Sequence, residues 1–224
     1  MPAGLVIFDC DGVLVDSDRI SLRIQAEHIT ALGMPTTYED CVRDFLGLGR
    51  PGTVRILEER YGGALPEGWE EDLDAAVDAA FQRELRPVHG IVAALDQIAI
   101  PTCVASSGSQ EKMRLTLGLT DLRERFEGRI FSADEVERGK PAPDLFLLAA
   151  AQMGAAPEDC IVVEDSPFGA AAARGAGMSA LGYAADDDGE SLAREGAAVF
   201  HSMADLPALI GAGPSLLPPH SAGK

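Results

Sequence analysis

Four apolar residues, Leu5-Val6-Ile7-Phe8, run without polar alternation into Asp9-Cys10-Asp11-Gly12. No other stretch constrains the fold as strongly. An unalternated apolar run of this length reads as a strand buried on both faces. Gly12 allows a sharp turn just past its end. Asp9 and Asp11 then stand at the carboxyl end of a central strand, where open α/β sheets bind ligands. Asp-Gly after a strand is also an ordinary turn signal. Two carboxylates this close nevertheless repel unless a cation or a shared proton offsets them. Hard oxygen donors suit a divalent ion, Mg²⁺ first.

The residues that follow are helical in pattern. From Asp18 to Leu32 apolar residues recur near one face, and Gly33 and Pro35 close the segment. Thr37 with Asp40 marks a second helix start. Pro51 sits in the first turn of a third helix that runs to Tyr61. Trp69 to Leu85 reads as a fourth, with Leu73, Val77, Ala80 and Phe81 inward. No β-like run occurs between Ser17 and Leu85, so residues 17–85 are expected to be an inserted all-helical cap.

After His89 strands and helices alternate. A helix from Ile91 to Ile98 leads to a strand ending on Ser106, and Ser107-Gly108-Ser109 opens a helix to Leu117. Gly128 to Ser132 is a short strand, and Gly139-Lys140-Pro141-Ala142-Pro143-Asp144 is a rigid turn into a helix ending near Gly154. Cys160 to Val163 is a strand closing on Glu164-Asp165, and Ser166-Pro167 caps an alanine-rich helix. Met178 to Tyr183 and Ala197 to Phe200 are further strands, and a short helix spans Ala204 to Ile210. This alternation implies an α/β fold, a doubly wound parallel (Rossmann-like) sheet with right-handed crossovers. Its core would comprise residues 1–16 and 86–210, and residues 211–224, rich in Gly, Pro and Ser, are expected to be a disordered tail. Asp186-Asp187-Asp188-Gly189 lacks the spaced ligands of a calcium loop and reads as a solvated loop.

A formal net charge of −18 and a pI near 4.4 argue against nucleic acid and anionic membrane surfaces as partners. No stretch approaches the roughly 20 apolar residues of a membrane span. The chain enters its first strand within a few residues, so no signal peptide and a cytoplasmic location are expected. Nothing in the sequence suggests an obligate partner, so a monomer is expected. Cys10, Cys41, Cys103 and Cys160 match no zinc or redox spacing. Cys103 and Cys160 lie in apolar runs, and Cys10 is expected to pack inward. His28, His89, His201 and His220 form no cluster, which argues against a histidine metal site.

Several stretches should end at one sheet edge, carrying Asp9 and Asp11, then Ser106, then Lys140, then Glu164 and Asp165. Singly they are turn aspartates, a capping serine, a surface lysine and a helix-starting acidic pair. Together they supply what phosphoryl transfer through an aspartyl phosphate requires: a carboxylate nucleophile, with a cation and fixed donors for the phosphoryl charge. In this order, Asp9-Cys10-Asp11-Gly12-Val13, Ser106, Lys140-Pro141 and Glu164-Asp165-Ser166 resemble the haloacid dehalogenase superfamily. The likeness covers about residues 4 to 210. It is strongest to the branch of β-phosphoglucomutase and small sugar-phosphate phosphatases, 6-phosphogluconate phosphatase among them.

The resemblance implies Asp9 as nucleophile and Mg²⁺ ligand, and Asp11 as general acid and then base, its carbonyl also on the metal. It implies Ser106 and the amides of Ser107 and Gly108 as phosphate contacts, as helix N-termini make. Lys140 would neutralise Asp9 and the transferring group, and Asp165 would complete the metal shell with Glu164 as ligand or neighbour. Asp11 argues against the dehalogenases, which lack that acid. Lysine occurs only as Lys112, Lys140 and Lys224, so the expected cap lacks the Schiff-base lysine of the phosphonate hydrolases. Asp18-Arg19-Ile20-Ser21-Leu22 lacks the histidine of the phosphoglucomutases and favours hydrolysis. Gly47-Leu48-Gly49-Arg50 resembles the family's substrate loop, where Arg50 would grip an anion or else simply start a helix at the surface. Asp16-Ser17 and Leu85-Arg86-Pro87 are expected to hinge cap over core. The expected function is a Mg²⁺-dependent phosphatase acting on a small phosphorylated sugar or sugar acid. A sugar phosphomutase and a non-catalytic sugar-phosphate sensor are the alternatives.

Overall fold

Six parallel strands form one sheet in the order β3-β2-β1-β4-β5-β6 in the computed structural model, which describes residues 3–46, 48, 50–185 and 188–213. In chain order the elements begin with β1 (Leu5–Phe8), then α1 (Ser17–Ala31), α2 (Tyr38–Phe45), α3 (Arg50–Tyr61), α4 (Trp69–Glu84) and α5 (Ile91–Leu95). There follow β2 (Thr102–Ser106), α6 (Gln110–Leu119), β3 (Ile130–Ser132), α7 (Asp144–Met153), β4 (Cys160–Glu164) and α8 (Pro167–Gly175). The chain continues through β5 (Ser179–Tyr183), α9 (Glu190–Arg194), β6 (Ala198–Phe200) and α10 (Leu206–Ala212).

The strand order is doubly wound. β1 and β4 lie side by side, and the chain moves outward from them in opposite directions, to β2 and β3 on one side and to β5 and β6 on the other. Ligands of such sheets bind beyond the carboxyl ends of the strands at this reversal. Register makes those ends level: Phe8 stands opposite Val104 of β2 and Val163 of β4. Ser106 stands opposite Ser132 of β3.

Burial explains why these segments are strands. Leu5, Val6, Ile7 and Phe8 are each 0% exposed, and covering side chains of that size stabilises by about 1.5–3 kcal/mol apiece. One layer of the core joins Leu5, Ile7, Cys103, Val162, Leu145 and Phe146 with Ala170, Ala172 and Ala173 of α8. The small alanines let α8 lie close to the sheet. Ser166 caps α8 by accepting from the Gly169 N–H, with Pro167 in its first turn.

The chain divides into two compact units, Met1–Val15 with Pro87–Lys224, and Asp16–Arg86. The first holds the sheet. The second holds α1 to α4, with α1 packed against α2 and α4. The Thr37 side chain accepts from the Asp40 N–H, and Asp40 accepts from the Thr37 N–H in return, so α2 starts with a full capping box. Phe45, Leu57, Leu73 and Phe81 are buried, whereas Val77, expected inward, is only half-buried. Arg23 ties α1 to Glu84 of α4 at 2.8 Å. Arg60 ties α3 to Asp44 of α2 at 2.7 Å and lies over the Phe45 ring.

Some expectations differ in detail. The helix expected over 91–98 ends at Leu95, and α9 follows no apolar periodicity, only Leu192 being buried in it. The last helix continues to Ala212, so Gly211 and Ala212 are helical rather than tail. Residues 214–224 of the expected tail, and Asp186 and Asp187, lie outside the described residues. No helix among the described residues is long and apolar enough to cross a membrane.

Candidate active site

Asp9 leaves the end of β1 with its N–H bonded to the Val163 carbonyl of β4 at 2.9 Å. The chain then doubles back, Leu14 N–H and Val15 N–H both reaching the Cys10 carbonyl, and Gly12 N–H the Val15 carbonyl. Gly12 adopts φ +73°, and a Cβ there would fall 1.7 Å from Asp165 Oδ2. The turn therefore needs glycine twice, for a left-handed backbone and for the carboxylate lodged against it. Asp165 follows β4 directly, which is how a residue distant in sequence arrives beside Gly12.

Lys140 comes in on the Gly139–Pro141 turn, whose Lys140-Pro141 peptide is cis. Its Nζ donates to Asp9 Oδ1 at 2.5 Å and also to Glu164 Oε1. The Lys140 side chain is 4% exposed, Asp9 9% and Glu164 1%. Glu164 Oε2 accepts from Asp165 N–H, Ser166 N–H and Ser166 Oγ. Gly169 of α8 makes room for it, since a Cβ there would sit 1.8 Å from Glu164 Oε1. Glu164 is thus an anchor for Lys140 and for the start of α8. Burial pushes the Asp9 carboxyl up to about 7; Lys140 pulls it down, while Glu164 and Asp11 push it up. Burial would depress the Lys140 ammonium, but Asp9 and Glu164 outweigh that and hold it above its ordinary value.

Ser106 ends β2 almost fully buried, and its Oγ accepts the Gly108 N–H at 3.2 Å. The Gly108 amide, expected to face a phosphoryl oxygen, is thus bonded inside its own loop. A Cβ on Gly108 would lie 3.6 Å from Asp11 Oδ2 and 3.7 Å from Ser106 Oγ, which places this loop beside Asp11. Ser107 is exposed. Cys10 is buried, its Sγ 3.9 Å from Thr116 Oγ1. Burial, then Asp11 and Asp9, raise its thiol well above the ordinary value.

The donors here are hard oxygens, which fits Mg²⁺. Among the described residues no three His, Cys, Asp or Glu side chains gather so as to hold a metal by themselves. Mg²⁺ binding needs no such cage, because that ion commonly takes one or two carboxylates and fills its shell with water and substrate phosphate. Asp9, Asp165 and the Asp11 carbonyl are the residues that would hold it. Glu164 and Asp11, which raise Asp9, make with it the kind of charge cluster a divalent cation offsets.

The sequence matches the haloacid dehalogenase-like hydrolases over residues 4–177. The chain belongs to that family. It is 32% identical over 205 residues to the 6-phosphogluconate phosphatase of Escherichia coli, covering 91% of this chain and 93% of that one. A haloacid dehalogenase-like protein of Agrobacterium tumefaciens has the same fold, with a TM-score of 0.85 and 32% identity over 94% of this chain and 98% of the other. A haloacid dehalogenase family hydrolase of Deinococcus radiodurans, solved with bound phosphate and sodium, gives a TM-score of 0.79 and 30% identity over 94% and 96%.

In this haloacid dehalogenase-like hydrolase the first unit brings Asp9, Asp11, Ser106, Gly108, Lys140, Glu164 and Asp165 to one sheet edge. Arg50 belongs to the second unit, where it opens α3 and its guanidinium pairs with Asp74. Gly47 and Gly49 of its motif lie outside the described residues. One further residue is Lys112, whose Nζ donates to Asp11 Oδ2 at 2.9 Å. A cation in the first turn of a helix opposes the helix dipole. That mismatch in α6 was the available sequence signal that Lys112 has an acidic neighbour.

Proposed function

We propose that this phosphoric monoester hydrolase releases phosphate from a small phosphorylated sugar or sugar acid, with Mg²⁺ and through a phosphorylated Asp9. The observation that carries this reading is the buried Lys140 ammonium bonded to both Asp9 and Glu164. A structural ion pair needs one carboxylate; here the second anchors the lysine, so Lys140 keeps its place as Asp9 loses charge. A carboxylate oxygen of Asp9 attacks phosphorus, the ester P–O bond breaks, and Asp11 gives its proton to the departing oxygen. Water then attacks the phosphoryl group, Asp11 takes a proton from it, the Asp9–phosphorus bond breaks, and inorganic phosphate leaves. Lys140 and the Ser106 loop face charge on the phosphoryl oxygens. Bound Mg²⁺ would supply a Lewis acid that draws off phosphoryl charge. The 6-phosphogluconate phosphatase relative supports a sugar acid among the substrates.

The test is phosphate release from a panel of sugar and sugar-acid monophosphates, 6-phosphogluconate included, with and without Mg²⁺. Wild type should turn over at least one of them only with Mg²⁺, and Asp9→Asn should lose at least about 10³-fold, as loss of a nucleophile does. Near wild-type turnover by Asp9→Asn would refute the covalent mechanism.

A further inference from the structure

The loop Ser107–Ser109 joins β2 to α6 without regular secondary structure. It is tied down from outside by β3. Ser132, the last residue of β3 and fully buried, donates its Oγ proton to the Gly108 carbonyl at 2.8 Å and accepts the Asp134 N–H at 3.1 Å. The Ser132 N–H donates to Glu135 Oε1 at 2.7 Å. That same oxygen accepts from Gln110 Nε2 at 2.8 Å, and Gln110 Nε2 also reaches the Ile130 carbonyl at 2.8 Å. Gln110 is the first residue of α6. Two points of the chain just beyond Ser106 are therefore fastened to the end of one strand, Gly108 through Ser132 and Gln110 through Glu135 and Ile130.

We propose that Ser132, Glu135 and Gln110 form a clamp that positions the phosphoryl-binding loop. They are positioning residues, and the inference rests on the function proposed above. A capping box at Ser132 would need only the bonds among Ser132, Asp134 and Glu135. The Ser132–Gly108 and Gln110 bonds serve no cap; they act on the loop. In a trans peptide the carbonyl and the following N–H point in opposite directions. Holding the Gly108 carbonyl toward β3 therefore aims the Ser109 N–H away from β3. The Gly108 N–H is held at the same time by Ser106 Oγ. Both peptides flanking Gly108 are oriented before substrate arrives, so the Ser106 hydroxyl and the first amides of α6 are preset. A displacement of about 1 Å in such a group costs roughly 10²-fold in rate.

The test compares Ser132→Thr with Ser132→Val in the full chain. The two side chains share a shape, and only threonine keeps the hydroxyl. The readouts are kcat and KM on the best substrate of the panel, the inhibition constant of inorganic phosphate, and the melting temperature. Ser132→Thr should stay within about threefold of wild type. Ser132→Val should raise the phosphate inhibition constant and lower kcat/KM by about tenfold or more, as expected for a misplaced binding loop. Equal phosphate binding and kcat/KM in the two variants would overturn the clamp. So would a lower kcat and melting temperature in Ser132→Val with KM and phosphate binding unchanged, which is the mark of a cap alone. If neither variant folds, Gln110→Leu decides in the same assay, and phosphate binding like that of wild type overturns the proposal. An active Asp9→Asn variant would refute the covalent mechanism without touching this result, because phosphate affinity does not depend on which group attacks.

Discussion

Adding one methyl group at Gly12 should disable the site while leaving the fold standing. Gly12 sits at φ +73°, where an alanine costs about 1–2 kcal/mol. That is a fraction of the roughly 5–15 kcal/mol that holds a domain together, so Gly12→Ala should fold. The larger effect is local. The new Cβ would lie 1.7 Å from Asp165 Oδ2 and 2.6 Å from its Cγ, both inside the 3.0 Å that such contacts never cross. The carboxylate must retreat by more than 1 Å, roughly the misplacement that costs 10²-fold in rate. Moving a residue proposed to hold the metal should also weaken Mg²⁺ binding, by about 10–100-fold if it matches the loss of a ligand's supporting partner. The assay is phosphate release titrated with Mg²⁺, alongside thermal unfolding. Gly12→Asn separates the two causes, because asparagine tolerates the left-handed backbone but carries the same Cβ. If the clash governs, both variants lose activity alike and Asn melts higher than Ala. Wild-type Mg²⁺ dependence and turnover in Gly12→Ala would refute the placement of Asp165 against the turn. Recovery of turnover in Gly12→Asn would assign the loss to backbone strain instead.

Lys140→Met should destabilise the protein by about 3–5 kcal/mol in urea unfolding, the cost of stripping one partner from a buried pair; a loss under about 1 kcal/mol would mean the ammonium does not bridge Asp9 and Glu164. The four cysteines are free and buried, and burial raises the Cys103 thiol to about 12 and the Cys41 and Cys160 thiols to about 11. An aromatic disulfide reagent should leave them untouched in the native protein at neutral pH and titrate them all in denaturant, and rapid native labelling would contradict their burial. Folded thiol values above the ordinary 9.0 mean that the folded state keeps protons the unfolded chain releases. Stability should therefore fall as pH climbs past about 9, as the linkage sign requires.

Much of the fold is legible in short stretches. Leu5 to Phe8 is a strand because it has no polar residue to show to water, and Thr37 with Asp40 starts a helix because each satisfies the other's backbone. The six strands that the spacing predicts are the six in the sheet. What periodicity does not show is α9, five residues with one buried side chain. Within the candidate site the acidic and basic residues at strand ends stand out as residue types. Their pairing does not. Lys112 on Asp11, Glu164 beneath Lys140, and Ser132 on Gly108 join residues 101, 24 and 24 positions apart.

From its residues alone this chain was bound to make a buried parallel sheet with carboxylates leaving β1 and β4, since hydrophobic runs and capping residues act over a few neighbours. Which carboxylate receives which ammonium was decided only when β1, β4 and the Lys140 turn met. Electrostatic energy in a buried place depends on ångström distances between groups far apart in sequence, and no local pattern encodes those distances.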